Sequence, residues 1–539
     1  MAETLAYLWP EVTLFLATCV VMVVGLSPSA AVRKLCPLIC GLSLAAAGIF
    51  AIGTTPTGAD HARGLMPGML PYAKAIIAAV GILLVMLLAG TVDREEEANI
   101  EGGRPFDPLR LTSGEFYSFF LFSLTGLMLA ASADTLIWLF LALELTSLPT
   151  YVMVTISTAR SKSREAGVKY FFLGALGAAI FLYGFTLIYG GTGSVHLTEI
   201  QRNITTQMAG GGLNPITLAG LLLAITGIGF KIAAVPMHYY TADVYQGAAT
   251  SVTAMLAFVP KTAGFLALML LCSAVGWHYG LGGEGLPDPI RLLLWVMAVM
   301  SMTLGNVLAL LQTSMKRMLA YSSIAHSGYM LVGIIAGPGD TFTQSGLSAV
   351  LFYLLAYGVM NTGAFAVIAS LERSPQRTHT GELSYDEADS VESIRGLART
   401  RPLLGWSLVI CALSLLGFPL TVGFFGKLPL FTAGISAGEI GLVVILGINS
   451  AIAAFYYLRL VAYPLFDEAG DEAGAFNLTP MRTRPAVGAL GAAGVVLMTI
   501  FAGPVARLAH DAVHPNNDAV AEASSLREPV AMNADLKSK

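Results

Sequence analysis

Charge is what this 539-residue chain has least of: Asp, Glu, Lys and Arg make up 12% of it, against 55% apolar residues. With a mean hydropathy of +0.71, that composition excludes a string of soluble domains. A net charge of −4 argues against a nucleic-acid partner. The five cysteines (Cys19, Cys36, Cys40, Cys272 and Cys411) all lie in apolar runs. Cys36 and Cys40 are one helical turn apart, but no further Cys or His completes a metal site nearby, so they read as small packing residues. There is no Walker A loop, no strand-borne GxGxxG, no cysteine cluster for iron–sulfur and no pair of haem histidines. The chain therefore has no evident energy source or redox centre of its own, and no cofactor or metal is expected in it. If it pumps, a partner must drive it. No cleavable signal peptide is expected either, because the first apolar run follows an acidic rather than a basic N-terminus, and the first helix reads as its own targeting signal.

What the chain has in abundance is apolar runs of about 20 residues, the mark of an all-α, polytopic transmembrane bundle in a lipid bilayer. Fourteen spans are expected, near 11–28, 35–54, 72–92, 114–132, 134–157, 169–190, 215–239, 250–275, 290–312, 319–336, 343–371, 403–434, 438–464 and 485–503. The twelfth is too long and interrupted for one straight helix and reads as broken. Residues 372–402 form a polar loop, and the tail after about 504 reads as polar and extramembrane. Odd-numbered loops carry Arg33, Lys34, Arg94, Arg104, Arg160, Lys316, Arg317, Arg373, Arg395 and Arg484 among others, while even-numbered loops hold little beyond Arg63 and Arg202. By the positive-inside rule the odd loops are cytoplasmic, and both termini then lie on the opposite side.

Residues 216–262, ITLAGLLLAITGIGFKIAAVPMHYYTADVYQGAATSVTAMLAFVPKT, organise the rest. Two apolar runs each carry a lysine near the middle, Lys231 and Lys261. A central lysine costs about 2.5–3.5 kcal/mol on insertion scales and survives only where it faces protein or water. Pro236 and Pro260 each remove a helix hydrogen bond and free a carbonyl about one turn upstream, near Ile232 and Leu256. Freed carbonyls in a membrane must find other donors. Buried charge, broken backbone and internal water together point to ion movement.

A second interrupted lysine helix, LLGFPLTVGFFGKLPLF (415–431), carries Lys427. Each such helix is the fourth of a five-span set, spans four to eight and nine to thirteen. Five is odd, so the sets run in opposite directions: an inverted repeat, whose paired interruptions point to a transport site. The expected organisation is 1–110 (three spans), 111–280 (first five-helix repeat), 281–465 (second repeat, with the 372–402 loop) and 466–539 (last span and tail).

Glu144 lies about ten residues from either end of the fifth span. Burial disfavours the charge on a carboxylate and on an ammonium alike, and contact between them restores both. A Glu–Lys pair whose separation changes is therefore a proton switch. His326, flanked by Ser322, Ser323 and Tyr329, can both donate and accept and suits a relay between lysines; the alternative is a hydrogen-bonded packing histidine. His238, after Pro236, reads equally as an accessory group or an interfacial residue. A static ion pair or snorkelling side chains are the plainer account of the lysines. Three lysines against one glutamate leave charge uncompensated, which favours a relay. Arg459 reads as structural, and Glu115, Asp134 and Lys169 as solvated span ends.

The stretches GFKIAAVPMHYYTADVYQGAATSVTAMLAFVPKTAGF (229–265), 114–153, KYFFLGALGAAIFLYG (169–184) and LALLQTSMKRMLAYSSIAHSGYMLVG (308–333) resemble the antiporter-like subunit N family (mitochondrial subunit 2) of respiratory complex I, the type I NADH:quinone oxidoreductase. LLAYGVMNTGAFAV (354–367), LSLLGFPLTVGFFGK (413–427) and SAIAAFYYLRLV (450–461) extend the likeness over most of 110–465. The related subunits L and M and the multisubunit cation/proton antiporters share the lysine-helix motif. They usually carry a histidine-containing stretch where this chain reads LAFVPKTAGF, and subunit L has a long lateral helix where only about 35 polar residues follow here.

The resemblance implies that Glu144 and Lys231 are the input pair, Lys261 and His326 the central relay and Lys427 the output residue. Apart from the resemblance, His238 and Tyr329 are candidate accessory groups by position. It further implies a proton-translocating subunit of a bacterial plasma membrane complex, beside antiporter-like subunit M and small membrane-arm subunits. NADH, FMN, iron–sulfur clusters and quinone would sit in partner subunits. A cation/proton antiporter subunit, or one of a related membrane-bound hydrogenase, is the alternative.

Overall fold

The computed structural model describes residues 7–53, 65–103, 105–158, 160–279, 285–373, 376–377, 383–384, 387–468, 476–478 and 481–514. Arg63, Arg104 and the tail beyond 514 lie outside them. In chain order the principal helices are α1 (Trp9–Gly25), α2 (Cys36–Gly53), α3 (Met69–Leu88), α4 (Ser113–Ala131), α5 (Leu136–Ile156), α6 (Ser161–Thr192), α7 (Leu197–Ala209), α8 (Pro215–Lys231) and α9 (Thr250–Val275). They continue as α10 (Asp288–Leu310), α11 (Met315–Ala336), α12 (Gly346–Ala369), α13 (Pro402–Leu416), α14 (Val422–Ser436), α15 (Ile440–Phe466), α16 (Thr483–Ile500) and α17 (Ala502–Val513). Among the described residues eleven helices are long and apolar enough to cross a membrane, and α1, α8, α13 and α14 are apolar but shorter.

Of the two interrupted spans, one is corrected and the other is as expected. The one near 215–239 is helical only to Lys231 and then breaks, with a short helix (Thr241–Gly247) beyond the break. Lys231 is therefore the last residue of a helix, not the middle of one. The one near 403–434 is two helices, α13 and α14, as its Gly/Pro content led one to expect. Pro260, by contrast, sits inside an unbroken α9. The fold is not purely helical: Leu371–Arg373 pairs antiparallel with Phe476–Leu478, so the start of the 372–402 loop is tied to the segment before α16.

The helices divide by what surrounds them. α9, α11 and α12 are enclosed by protein over nearly all their length, whereas α2, α6 and α16 leave most of their apolar surface facing outward. Side chains such as Lys261, His326 and Asn361 lie on the enclosed three, where polar groups can find protein partners. α9 packs on α5 and α8 on one side and on α11 and α12 on the other, joining the first set of helices to the second. α6 and α8 lie in intimate contact: a methyl group at Gly184 would fall 2.5 Å from Ala224 N and one at Gly220 2.7 Å from Ile188 N. Small residues let membrane helices approach this closely.

α7 has no counterpart among the expected spans. It buries Leu197, Ile200 and Ile204 on one face. Its amide side chains close the ends of neighbours: Asn203 Nδ2 donates to Thr192 O (2.8 Å), Gln207 Nε2 to Gly191 O (2.9 Å) and Gln201 Nε2 to Ser273 O (3.0 Å).

Candidate functional site

The break after α8 leaves helix-end carbonyls without the amide partners a continuing helix would supply. Phe230 O accepts from the Tyr240 hydroxyl (2.8 Å). Ile232 O, the carbonyl that Pro236 was expected to free, accepts from Lys261 Nζ (3.4 Å) and Ser327 Oγ (2.5 Å). Ala233 takes a left-handed φ of 54° in the same turn, and Val235 N donates to Ser301 Oγ at 2.9 Å. α8, α9, α10 and α11 thus meet at one interrupted peptide.

Lys231 is 1% exposed, and its Nζ donates to Glu144 Oε1 (2.9 Å), Ser147 Oγ (2.6 Å) and Leu143 O (3.5 Å), all on α5. The Phe181 ring centroid lies 5.5 Å away, close enough for its face to favour a cation. Glu144 is less enclosed, its side chain 17% exposed where that of Lys231 is 1%, so the carboxylate lies nearer the outer face of the chain.

Lys261 on α9 donates to Ser323 O and, at 2.7 Å, to Ser327 Oγ, besides Ile232 O. No carboxylate among the described residues is its hydrogen-bond partner. What faces the amine here is the open end of α8, a helix C-terminus that carries partial negative charge. Lys427 repeats the arrangement. α13 ends at Gly417, in the left-handed region at φ +83°, where glycine is the unstrained choice. Lys427 Nζ, from α14, donates to the last carbonyls of α13, Leu415 O (3.2 Å) and Leu416 O (2.7 Å). It also lies 5.0 Å from the Tyr329 ring centroid.

His326 on α11 is fully buried. Its Nδ1 pairs with the Tyr353 hydroxyl of α12 (2.6 Å) and its Nε2 with the Tyr457 hydroxyl of α15 (2.8 Å). The two tyrosines were not singled out from the sequence, because buried tyrosines at helical spacing look like core. Tyr329, the expected accessory residue, accepts from Asn306 Nδ2 (2.8 Å) with its ring 5.5 Å from that of His326. His238 is not brought to the lysines by any hydrogen bond between described residues: it lies half-buried beyond the break, its ring 4.8 Å from that of Tyr239.

Three basic residues read as loop charges are in fact buried. Arg484 donates to Glu372 (2.6 Å), Lys316 to Glu387 (3.3 Å), and Arg33 lies 3.6 Å from Glu97. Glu372, Glu387 and Arg484 line a cavity of about 790 Å³, with Arg94, Arg110 and Arg164, at the ends of α3, α5 and α9. Burial alone would push the Glu387 carboxyl up. Lys316, Arg484 and the Thr250 hydrogen bonds outweigh it and hold it at about 2. Glu387 Oε2 accepts from Thr250 N (2.9 Å) and Oγ1 (2.6 Å), capping the N-terminus of α9. A further buried pair, Lys74 and Glu11 at 2.7 Å, joins α3 to α1. Arg459, as expected, is structural, donating to Leu310 O and Gln312 O past the end of α10.

Residues 133–453 match the family described as NADH:quinone oxidoreductase/Mrp antiporter, TM. The chain is 41% identical over 401 residues to NADH-quinone oxidoreductase subunit N of Trichlorobacter lovleyi, covering 74% of this chain and 77% of that protein. It is 34% identical over 470 residues to subunit N of Herminiimonas arsenicoxydans, covering 86% and 89%. Among solved structures it is similar to a chain of respiratory complex I from Thermus thermophilus with bound aureothin, at 29% identity and a TM-score of 0.70 over 92% of this chain and 98% of that one. A chain of the Mrp complex from Dietzia sp. shares the fold at a TM-score of 0.73, with 18% identity over 97% and 99%. The length and identity of these relatives, with the matched family spanning the helices that carry Glu144, Lys231, Lys261, His326 and Lys427, mean that this chain belongs to the NADH-quinone oxidoreductase subunit N family.

Proposed function

We propose that this multi-pass membrane protein is a proton-translocating subunit of the membrane arm of an NADH-quinone oxidoreductase, moving protons through Glu144, Lys231, Lys261, His326 and Lys427. The observation that carries the reading is the 2.9 Å contact between Glu144 and Lys231 at the end of an interrupted helix, with Lys261 on the next peptide's carbonyl. Held against Glu144, Lys231 keeps its proton. Drawn away from it, a buried ammonium loses its compensating charge and gives the proton up. Lys261 and Lys427, each seated on open helix-end carbonyls rather than on a carboxylate, are the acceptors in line, with His326 between them. The partial exposure of Glu144 lets a neighbouring subunit's charge act on it.

In this reading the chain crosses the membrane fourteen times, its two five-helix sets are inverted repeats, and both termini lie on the non-cytoplasmic side of the bacterial inner membrane. Antiporter-like subunit M and small membrane-arm subunits are its neighbours, and NADH, FMN, iron–sulfur clusters and quinone belong to other subunits. Moving one charge against 100 mV costs about 2.3 kcal/mol, which quinone reduction elsewhere must supply. The test is proton pumping by the intact complex in sealed vesicles. Lys231→Ala and Lys427→Ala should each depress NADH-driven proton uptake, whereas a scaffold with no through-path would leave it unchanged. The second reading, a subunit of a cation/proton antiporter or of a related membrane-bound complex, is favoured by the shared fold and by the antiporter half of the matched family's description. Relatives at 34–41% identity bear the quinone oxidoreductase name.

A further inference from the structure

Between His326 and Lys427 the relay has a gap that the five groups above do not fill. His326 has both ring nitrogens occupied by tyrosine hydroxyls, Tyr353 at 2.6 Å and Tyr457 at 2.8 Å. A neutral imidazole has one N–H and one acceptor nitrogen, so one of the two hydroxyls must accept from the ring and the other must donate to it. The Tyr457 hydroxyl also pairs with Ser322 Oγ, and Ser322 precedes Ser323, whose carbonyl takes the Lys261 ammonium. On the other side the Tyr353 ring packs against Gly426, where a methyl group would overlap it. Gly426 is the residue before Lys427. The two hydroxyls therefore sit on opposite ring nitrogens of the histidine, Tyr457 tied to the turn of α11 whose Ser323 carbonyl takes Lys261 and Tyr353 packed on the turn of α14 that carries Lys427.

From this geometry we infer that Tyr457 and Tyr353 are relay groups, carrying the proton into and out of His326. The inference rests on the relay reading and deepens it. The step balances without a charged ring. Starting with Nδ1 protonated, the Tyr457 hydroxyl proton passes to Nε2 while the Nδ1 proton passes to the Tyr353 oxygen. Tyr353 releases its own hydroxyl proton toward Lys427, through water, and Tyr457 is reprotonated from the Ser322 side. One proton has crossed, and the imidazole is neutral in its other tautomer. A half-turn of the neutral imidazole, carrying its N–H back to the Tyr353 side, and rotation of the hydroxyls reset the chain. A fully buried imidazole can thus conduct without the cost of an imidazolium in an apolar site. Tyr357 gives a comparison within the same helix as Tyr353: its ring lies 5.0 Å from that of His326, yet both ring nitrogens are taken by the other two tyrosines.

The experiment uses the assembled complex in sealed vesicles, with NADH-driven proton uptake and quinone reduction followed together. Tyr353→Phe and Tyr457→Phe keep the rings and remove the hydroxyls. Each should lower this chain's share of coupled proton uptake about 100-fold or more, the lower end of what a positioned proton-transfer group contributes, while Tyr357→Phe pumps as the parent does. If both hydroxyl variants pump normally while Lys231→Ala and His326→Ala do not, the relay stands and this inference falls. If Lys231→Ala and His326→Ala also pump normally, the relay reading itself is wrong. Equal losses in Tyr357→Phe and Tyr353→Phe would reduce Tyr353 to packing and overturn its part. Should one hydroxyl variant fail to assemble, the other carries the test alone.

Discussion

The Lys261 ammonium and the Ile232 carbonyl face each other at 3.4 Å, so a lysine of α9 closes the open end of α8. Lys427 does the same for α13, 2.7 Å from Leu416 O. Each interruption would otherwise leave unpaired carbonyls in an apolar layer, and each lysine would otherwise be an uncompensated buried charge. The two costs offset one another. A lysine that loses its proton here keeps a lone pair and two N–H groups, so it can still serve the carbonyls.

Ser327 holds this junction from the second side, donating to Ile232 O and accepting from Lys261 at 2.7 Å. Ser327→Ala should cost about 1.5–3 kcal/mol, the range for a hydrogen bond to a charged group. The measurement is the first thermal transition of the purified complex. An unchanged transition would mean that the break is held by other groups.

Glu387 sets a pH dependence. Its carboxyl is held near 2 in the folded chain, against an ordinary 4.5. A depressed group contributes stability above its ordinary value, and that contribution is lost as pH falls through the folded one. Protection of the Thr250 amide against hydrogen exchange, corrected for the intrinsic rate, should be constant above about pH 5 and fall away between about 4.5 and about 2. Glu387→Gln should lose much of that protection at neutral pH. Equal protection in the variant would show that Thr250 is capped by something else.

Lys74 and Glu11 carry the same chemistry as Lys231 and Glu144, but both members are buried, at 1% and 4% exposure. Lys74 Nζ also donates to Tyr7 O at 2.7 Å. Nothing joins this pair to the five relay groups by hydrogen bonds between described residues, so it is a clasp between α1 and α3. Glu11→Ala strands a buried ammonium and should destabilise the complex by about 3–5 kcal/mol, read as a lowered thermal transition. Protons pumped per quinone reduced should stay at the parental value in whatever complex assembles. A lower ratio would make the clasp part of the path.

Much of this was legible in the sequence, and the reason is the membrane. Lys231, Lys261 and Lys427 stand out because hydrocarbon tolerates so few charges, and Gly417 and Pro236 mark where helices fail. The carbonyl expected to come free near Ile232 is the one the lysine occupies. What composition hides is polar chemistry in aromatic dress: Tyr353 and Tyr457 look like core until their hydroxyls are seen on His326. Lys74 went unremarked because it lies near the start of its helix, where a snorkelling side chain is the ordinary outcome. Arg484 and Lys316 were read as loop charges because the carboxylates that meet them, Glu372 and Glu387, are distant in sequence.

The most direct test of the account is the dependence of Lys231 on Glu144. Protons pumped per quinone reduced should be measured in the intact complex for Glu144→Gln and Glu144→Asp. If Glu144 switches Lys231, the uncharged glutamine should abolish this chain's contribution, while aspartate, which keeps the charge on a shorter side chain, should retain part of it. Parental pumping by Glu144→Gln would contradict the account.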